Sequence, residues 1–308
     1  MACTECRNRA ALLAMLAPAI ERIGLTRQSL LGLLALNNER LCRAVGVENP
    51  GDDELSRRAE AARGALGSPG AICRHDPDDA YPQTLAQLDS APAVLHATCE
   101  TERLHELLSE PTVAIIGERF HTGYAQQIAF ALAHDLALAG VTILSGLDQG
   151  INGTAHHGAL HTGGHTIAVT GCAPEIPYPR QQDHLHRRIV ASGAVVSELE
   201  PGFFPPRRWC FVASQRIIAA LAGVLVIVEA KERSSALLTA QIAGDLGHDV
   251  AVVPGRVSDH GAQGTFALLR DGAHPVSGAQ DVLDLVTARL LTRERAAGAP
   301  AHLAGESP

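Results

Sequence analysis

The chain has 308 residues, 46% of them hydrophobic and 19% charged, with 29 glycines and 17 prolines. That is the composition of a folded globular protein; it excludes a disulfide-stapled miniprotein, a collagen-like repeat and a long disordered chain. A formal net charge of −8 excludes a coat for nucleic acid held by bulk charge, yet leaves room for a local basic site, because a phosphate backbone responds to the nearby field.

No run reaches the roughly 18 apolar residues of a membrane helix, and no signal-peptide pattern follows MACTECRNRA. The seven cysteines, at 3, 6, 42, 73, 99, 172 and 210, are an odd and scattered set that fits reduced thiols. A cytoplasmic protein without membrane contact is expected.

In chain order, Leu12, Leu13 and Leu16, then Leu30, Leu33 and Leu34, then Leu41 and Val45 recur at helical spacing, broken at Pro18, Gly24 and Gly46. Residues 1–64 are therefore expected to form a small all-helical N-terminal domain, and residues 65–110, rich at first in Gly, Pro and Asp, a linker and bridging segment. From Pro111 onward short β-branched runs alternate with longer amphipathic ones. The strands expected are Val113–Ile116, Val141–Leu144, Thr166–Val169, Ala194–Val196, Val224–Val228 and Val250–Val253. Continuous apolar strands between helices are the mark of a parallel sheet covered on both faces, so 111–291 is expected to be an α/β, Rossmann-like, doubly wound domain with a mostly parallel sheet. Residues 292–308 offer no periodic apolar face and are expected to be a disordered tail.

In such a sheet ligands bind beyond the carboxyl ends of the strands. The residues there are Gly117-Glu118-Arg119, Ser145-Gly146 through Gly150, Gly171, Ser197-Glu198, Glu229 with Arg233-Ser234-Ser235, and Gly255. Glycine lets a backbone approach an anion, and serine with free N–H groups at a helix start suits phosphate. Any one of these glycines could simply make a tight turn; the set together suggests a phosphate-binding crest. GxGxxG, GxxxxGK[ST] and GxSxG are all absent, which disfavours a dinucleotide dehydrogenase, a P-loop NTPase and an esterase.

The stretch Pro201–Val228 carries Arg207, Arg208 and Arg216 with Phe203, Phe204, Trp209 and Phe211, and no acidic residue, in a chain only 3% aromatic. Interleaved guanidinium groups and flat rings suit single-stranded nucleic acid; the alternative is that the rings plug the sheet edge and the arginines face water. His157 and His161 are four apart on an expected helix but lack a carboxylate partner, so no metal is assigned there. Cys3 and Cys6 form a single CxxC, which Cys42, Cys73 and His75 complete only if the fold gathers them; without a second CxxC the zinc signal is weak, so free thiols and no metal site are expected. No cofactor is expected.

The runs SGLDQGINGTAHHGAL (145–160), GGHTIAVTGCAPEIPYP (163–179), SELEPG (197–202), QRIIAALAGVLVIVEA (215–230), LLTAQIAGDLGHDVAVVPG (237–255) and GTFALLRDGA (264–273) together resemble the DprA/Smf family of DNA-processing proteins. The resemblance implies a Rossmann-like domain preceded by a small SAM/HhH-like helical domain. It also implies single-stranded DNA binding, a homodimer, loading of a RecA-type recombinase on incoming DNA in natural transformation, and no catalytic chemistry. Carried over by position, the DNA contacts are Gly117, Arg119, Ser145, Gly146, Gly150, His156, Ser197, Arg216, Ser234 and Gly255, to which the local reading adds Arg207, Arg208 and Trp209.

The sequence departs from the family pattern where SGxARGID is replaced by a run with Asp148-Gln149 and Asn152. FPxRNR becomes Phe211 to Arg216 with one arginine kept, SGS becomes Ser234-Ser235-Ala236, and the asparagine after the late glycine becomes Thr265. Each missing phosphate donor weakens binding and its salt dependence. The winged-helix module common at the family's C-terminus is not expected here. The alternative on the same scaffold is a nucleotide sensor or a LOG-like phosphoribohydrolase, although PGGxGTxxE does not follow Pro254-Gly255.

Overall fold

The structure, a computed structural model, describes residues 2–66, 70–75 and 81–298. Four helices come first: α1 (Thr4–Ile23), α2 (Arg27–Leu34), α3 (Asn38–Val45) and α4 (Asp52–Leu66). Local sequence sets their limits. Thr26 and Asn37 accept backbone N–H groups of the first turns of α2 and α3, and Gly24 and Gly46 close α1 and α3 in the left-handed conformation.

The stretch expected to be a linker holds β1 (Gly70–Cys73), α5 (Gln83–Ala86), β2 (Val94–Ala97) and α6 (Thr101–Ser109). Then follow β3 (Thr112–Ile116), α7 (Gly123–Leu138), β4 (Thr142–Gly146), α8 (Ile151–His161), β5 (Thr166–Val169), α9 (Asp183–Ser192) and β6 (Ala194–Ser197). The chain ends with α10 (Arg208–Leu221), β7 (Val224–Ile227), α11 (Ser235–Asp245), β8 (Asp249–Val252), α12 (Gln263–Arg270), β9 (His274–Pro275) and α13 (Ala279–Gly298). Residues 292–298, expected in the tail, continue α13; 299–308 lie outside the described residues.

All six expected strands are present within a residue or two. They pair in the order β6-β5-β4-β3-β7-β8, all parallel, with β1 and β2 added antiparallel at the β6 edge and β9 parallel beyond β8. This is the α/β, mostly parallel architecture the βα rhythm implies. Alternation along the strands divides the interior. Ala114, Ile116, Leu144, Leu225 and Ile227 face α10 and α11, whereas Val113, Ile115, Ile143, Val224 and Val226 face α7, α8 and α13.

The N-terminal helices do not stand apart. Leu12, Leu16 and Ile20 of α1, Leu30 and Leu33 of α2, and Leu41 of α3 share one cluster with Leu199, Trp209, Cys210 and Ala213. Among the described residues no helix is long and apolar enough to cross a membrane.

Candidate functional site

The chain enters the parallel sheet at β3, builds outward to β6, then returns to β7 on the other side of β3. The helix after β3 packs on one face and the helix after β7 on the other, so the loops beyond these neighbouring strands diverge and leave a crevice. A cavity of about 270 Å³ lies there, lined by Gly117, Glu118 and Arg119 after β3, Asp148, Gln149 and Asn152 after β4, Gln215 of α10, and Arg233, Ser234 and Ser235 after β7.

Backbone contacts lock these loops together. Glu118 N–H donates to Glu229 O (3.0 Å), Ile151 N–H to Glu118 O (3.2 Å) and Gly117 N–H to Asn152 Oδ1 (3.3 Å). Gly150, at φ +92°, sits so close that a Cβ would come 2.5 Å from the carbonyl oxygens of Glu118 and Arg119. Only glycine satisfies both the backbone angle and the approach.

Arg119 and Arg233 border the cavity, and Arg119 Nη2 donates to Gln149 Oε1 (3.0 Å). Ser234 caps α11, its Oγ accepting from Ala236 N–H (3.3 Å), so the positive end of that helix faces the crevice. From the N-terminal helices, Arg27 donates to Ser234 O (2.8 Å) and Arg233 O (3.3 Å), fixing the loop. Phe120, 78% exposed, stands beside Arg119 with the guanidinium carbon 5.6 Å from the ring centroid. Sequence reasoning missed it, although it directly follows the GER turn after β3.

Asp148 opposes these cations. Burial pushes its carboxyl above the usual carboxylate range, more than Arg119 and the Asn152 hydrogen bond pull it down. The folded protein therefore takes up this proton at a higher pH than the unfolded chain. Above the raised value the ionised group costs stability, and the cost fades as pH falls towards the unfolded value. Asp148→Asn is expected to raise the melting temperature and tighten anion binding at neutral pH, with the advantage over wild type shrinking on acidification. A pH series of thermal melts checks this, and an advantage that grows at acid pH contradicts it.

The residues expected at the ligand surface divide. Gly117, Arg119 and Ser234 line the cavity, and Gly150 shapes it. Ser145 and Ser197 are fully buried, donating to Ile115 O (2.6 Å) and Thr170 O (3.2 Å), and so brace strands rather than meet a ligand. His156 is also buried, with Nε2 3.2 Å from the carbonyl oxygen of buried Gly146 and Nδ1 2.7 Å from Thr166 Oγ1. A carbonyl can only accept, so Nε2 carries the proton, and burial lowers the ring pKa to about 4. Gly255 is glycine for packing, since a Cβ there would collide with the Ala262 Cβ.

The arginine-aromatic strip is not one surface. Arg216 is 1% exposed: it grips Glu198 with both terminal nitrogens (2.7 and 2.6 Å), and its Nε donates to Ser90 O (2.8 Å). Trp209 is 5% exposed, its indole N–H donating to Ala17 O (3.2 Å) of α1. Arg208 is exposed, and Arg207 lines a separate hollow with Arg58, Glu200, Phe203 and Phe204. Of the cysteine and histidine set, the fold gathers Cys3, Cys6, Cys73 and His75, while Cys42 lies in the core of the N-terminal helices.

The model of the DNA recombination-mediator protein A family matches residues 72–287. A putative DNA processing protein DprA of Mycobacterium tuberculosis is 35% identical over 237 residues, 77% of this chain and 56% of that one. Protein Smf of Escherichia coli is 35% identical over 209 residues, 66% of this chain and 54% of that one. The chain thus spans about half the length of these curated relatives. The X-ray structure of DprA from Streptococcus pneumoniae aligns with a TM-score of 0.67 at 29% identity, over 87% of this chain and 96% of that one. A structure of DprA from Helicobacter pylori, described for its single-stranded DNA binding mode, aligns with a TM-score of 0.61 at 28% identity, over 72% of this chain and 96% of that one.

Proposed function

Because the chain belongs to the DNA recombination-mediator protein A family, we propose that it binds single-stranded DNA across the crevice between β3 and β7, and acts in DNA processing without making or breaking a bond. Arg119 and Arg233 take phosphates, the N-terminus of α11 adds backbone N–H groups, and Phe120 offers a face to an unpaired base. The observation that carries this reading is the exposed Phe120 ring beside the Arg119 guanidinium at the edge of the crevice. The face of that ring is open to solvent and available to stack on an unpaired base.

The same proposal extends, by the family resemblance, to cytoplasmic action, pairing of two copies and delivery of DNA to a RecA-type recombinase. Light scattering and a recombinase filament assay check these two partners.

A labelled dT oligomer titrated by fluorescence anisotropy is expected to bind at low salt more tightly than a duplex of equal length, and Phe120→Ala to weaken binding by about 1–3 kcal/mol. No oligomer binding at low salt, or a melting temperature raised by mononucleotides alone, rejects the reading in favour of a nucleotide sensor.

A further inference from the structure

A second cluster lies where the N-terminal helices meet the sheet edge. Cys3 is the N-cap of α1, and Cys6 follows three residues later, on the same helical face. Cys73 ends β1, and His75 sits in the turn just beyond. The fold brings these two short motifs together from 70 residues apart: the Cys3 backbone N–H donates to Cys73 Sγ at 3.4 Å.

The three sulfurs all lie within 4.8 Å of one another. His75 Nδ1 is 3.8 Å from Cys3 Sγ and 3.6 Å from Cys6 Sγ. With Zn–S near 2.3 Å and Zn–N near 2.0–2.1 Å, tetrahedral geometry sets its donor atoms roughly 3.5–3.8 Å apart. The imidazole already stands at that spacing from Cys3 and Cys6; to close the tetrahedron the three thiols draw together by about an ångström and the exposed His75 side chain turns towards Cys73. Cys6 and Cys73 are buried and Cys3 half-buried against a small apolar shell of Ala2, Ala10, Ala93 and Val94, while His75 closes the cluster from the solvent side.

We propose that Cys3, Cys6, Cys73 and His75 form a structural Zn²⁺ site that clips the start of α1 to edge strand β1. Three soft sulfurs and one imidazole select zinc over magnesium or calcium, and fall one thiolate short of the usual iron–sulfur set. Four protein donors leave no open position, so the ion holds structure and performs no hydrolysis. Binding displaces the thiol protons into solvent. Glu5 Oε2, 3.7 Å from His75 Nδ1, belongs to a side chain 74% exposed, which is free to swing aside.

The full chain, purified under reducing conditions, is expected to carry one zinc per molecule by elemental analysis. Cobalt exchanged into it is expected to give intense visible d–d bands and a near-ultraviolet thiolate charge-transfer band. Cys73→Ser and His75→Ala are expected to lose or shift those bands, while Cys99→Ser, outside the cluster, keeps them. A chelator is expected to lower the melting temperature of wild type but not of Cys3→Ser. If Cys73→Ser fails to fold, Cys3→Ser at the helix start and chelation of the wild type decide the matter. Metal well below one equivalent with no change in melting temperature on adding zinc overturns the proposal, as does zinc content unchanged in Cys3→Ser.

Discussion

Arg216→Ala is expected to destabilise the protein by about 3–5 kcal/mol, because it strands the Glu198 carboxylate in the interior without its partner. Against a total stability of about 5–15 kcal/mol, that is enough to unfold a marginal domain. The pair joins the end of β6 to α10, and the contact to Ser90 O adds the loop that precedes β2, so three segments lose a common anchor at once. The sign depends on removing only one partner. Replacing both, as in Arg216→Met with Glu198→Leu, is expected to recover most of the loss, since a buried pair gains little over apolar side chains of similar volume. Urea unfolding of the two variants checks this. An Arg216→Ala protein as stable as wild type yet unable to bind DNA would return Arg216 to the ligand surface.

The second large effect is expected at Trp209, where truncation to alanine costs about 3–5 kcal/mol, as for a large aromatic ring removed from a core. Trp209 packs with the leucines of α1, α2 and α3, and its indole N–H reaches the Ala17 carbonyl. Its loss opens a void between the N-terminal helices and α10, so the amides of α1 should exchange with solvent faster than those of β3 and β7. Were Trp209 a stacking platform, the cost would appear as about 1–3 kcal/mol of DNA affinity with stability intact. Hydrogen exchange together with an unfolding curve separates the two.

These two residues mark the limit of what a sequence displays. Six strands were legible because a strand buried on both faces reads as a short, continuous β-branched run, as in Val224–Ile227. β1 and β2 were not: they lie outside the regular alternation of strand and helix that begins near Pro111, and β1 follows a Gly- and Pro-containing stretch that reads as linker. The crevice was legible at Gly117, Arg119 and Ser234 because chain topology dictates where strand-end loops go. Arg216 and Trp209 misled because a residue type advertises charge or a flat ring but not its partner, and Glu198 and Ala17 lie 18 and 192 residues away. His156 and Ser145 likewise carry polar atoms whose hydrogen bonds are internal. Phe120 was overlooked because one aromatic after a turn carries no pattern; its exposure, visible only in the fold, gives it meaning.

The most direct measurement is the slope of log Kd against log salt for a dT oligomer, compared between wild type and Arg119→Ala/Arg233→Ala. Removing two phosphate-binding cations from the path of a single strand should flatten the slope by about 1.4 and weaken binding at low salt, with the unfolding curve unchanged. An identical slope and affinity in the double variant would place the DNA elsewhere on the molecule and contradict the crevice as its site.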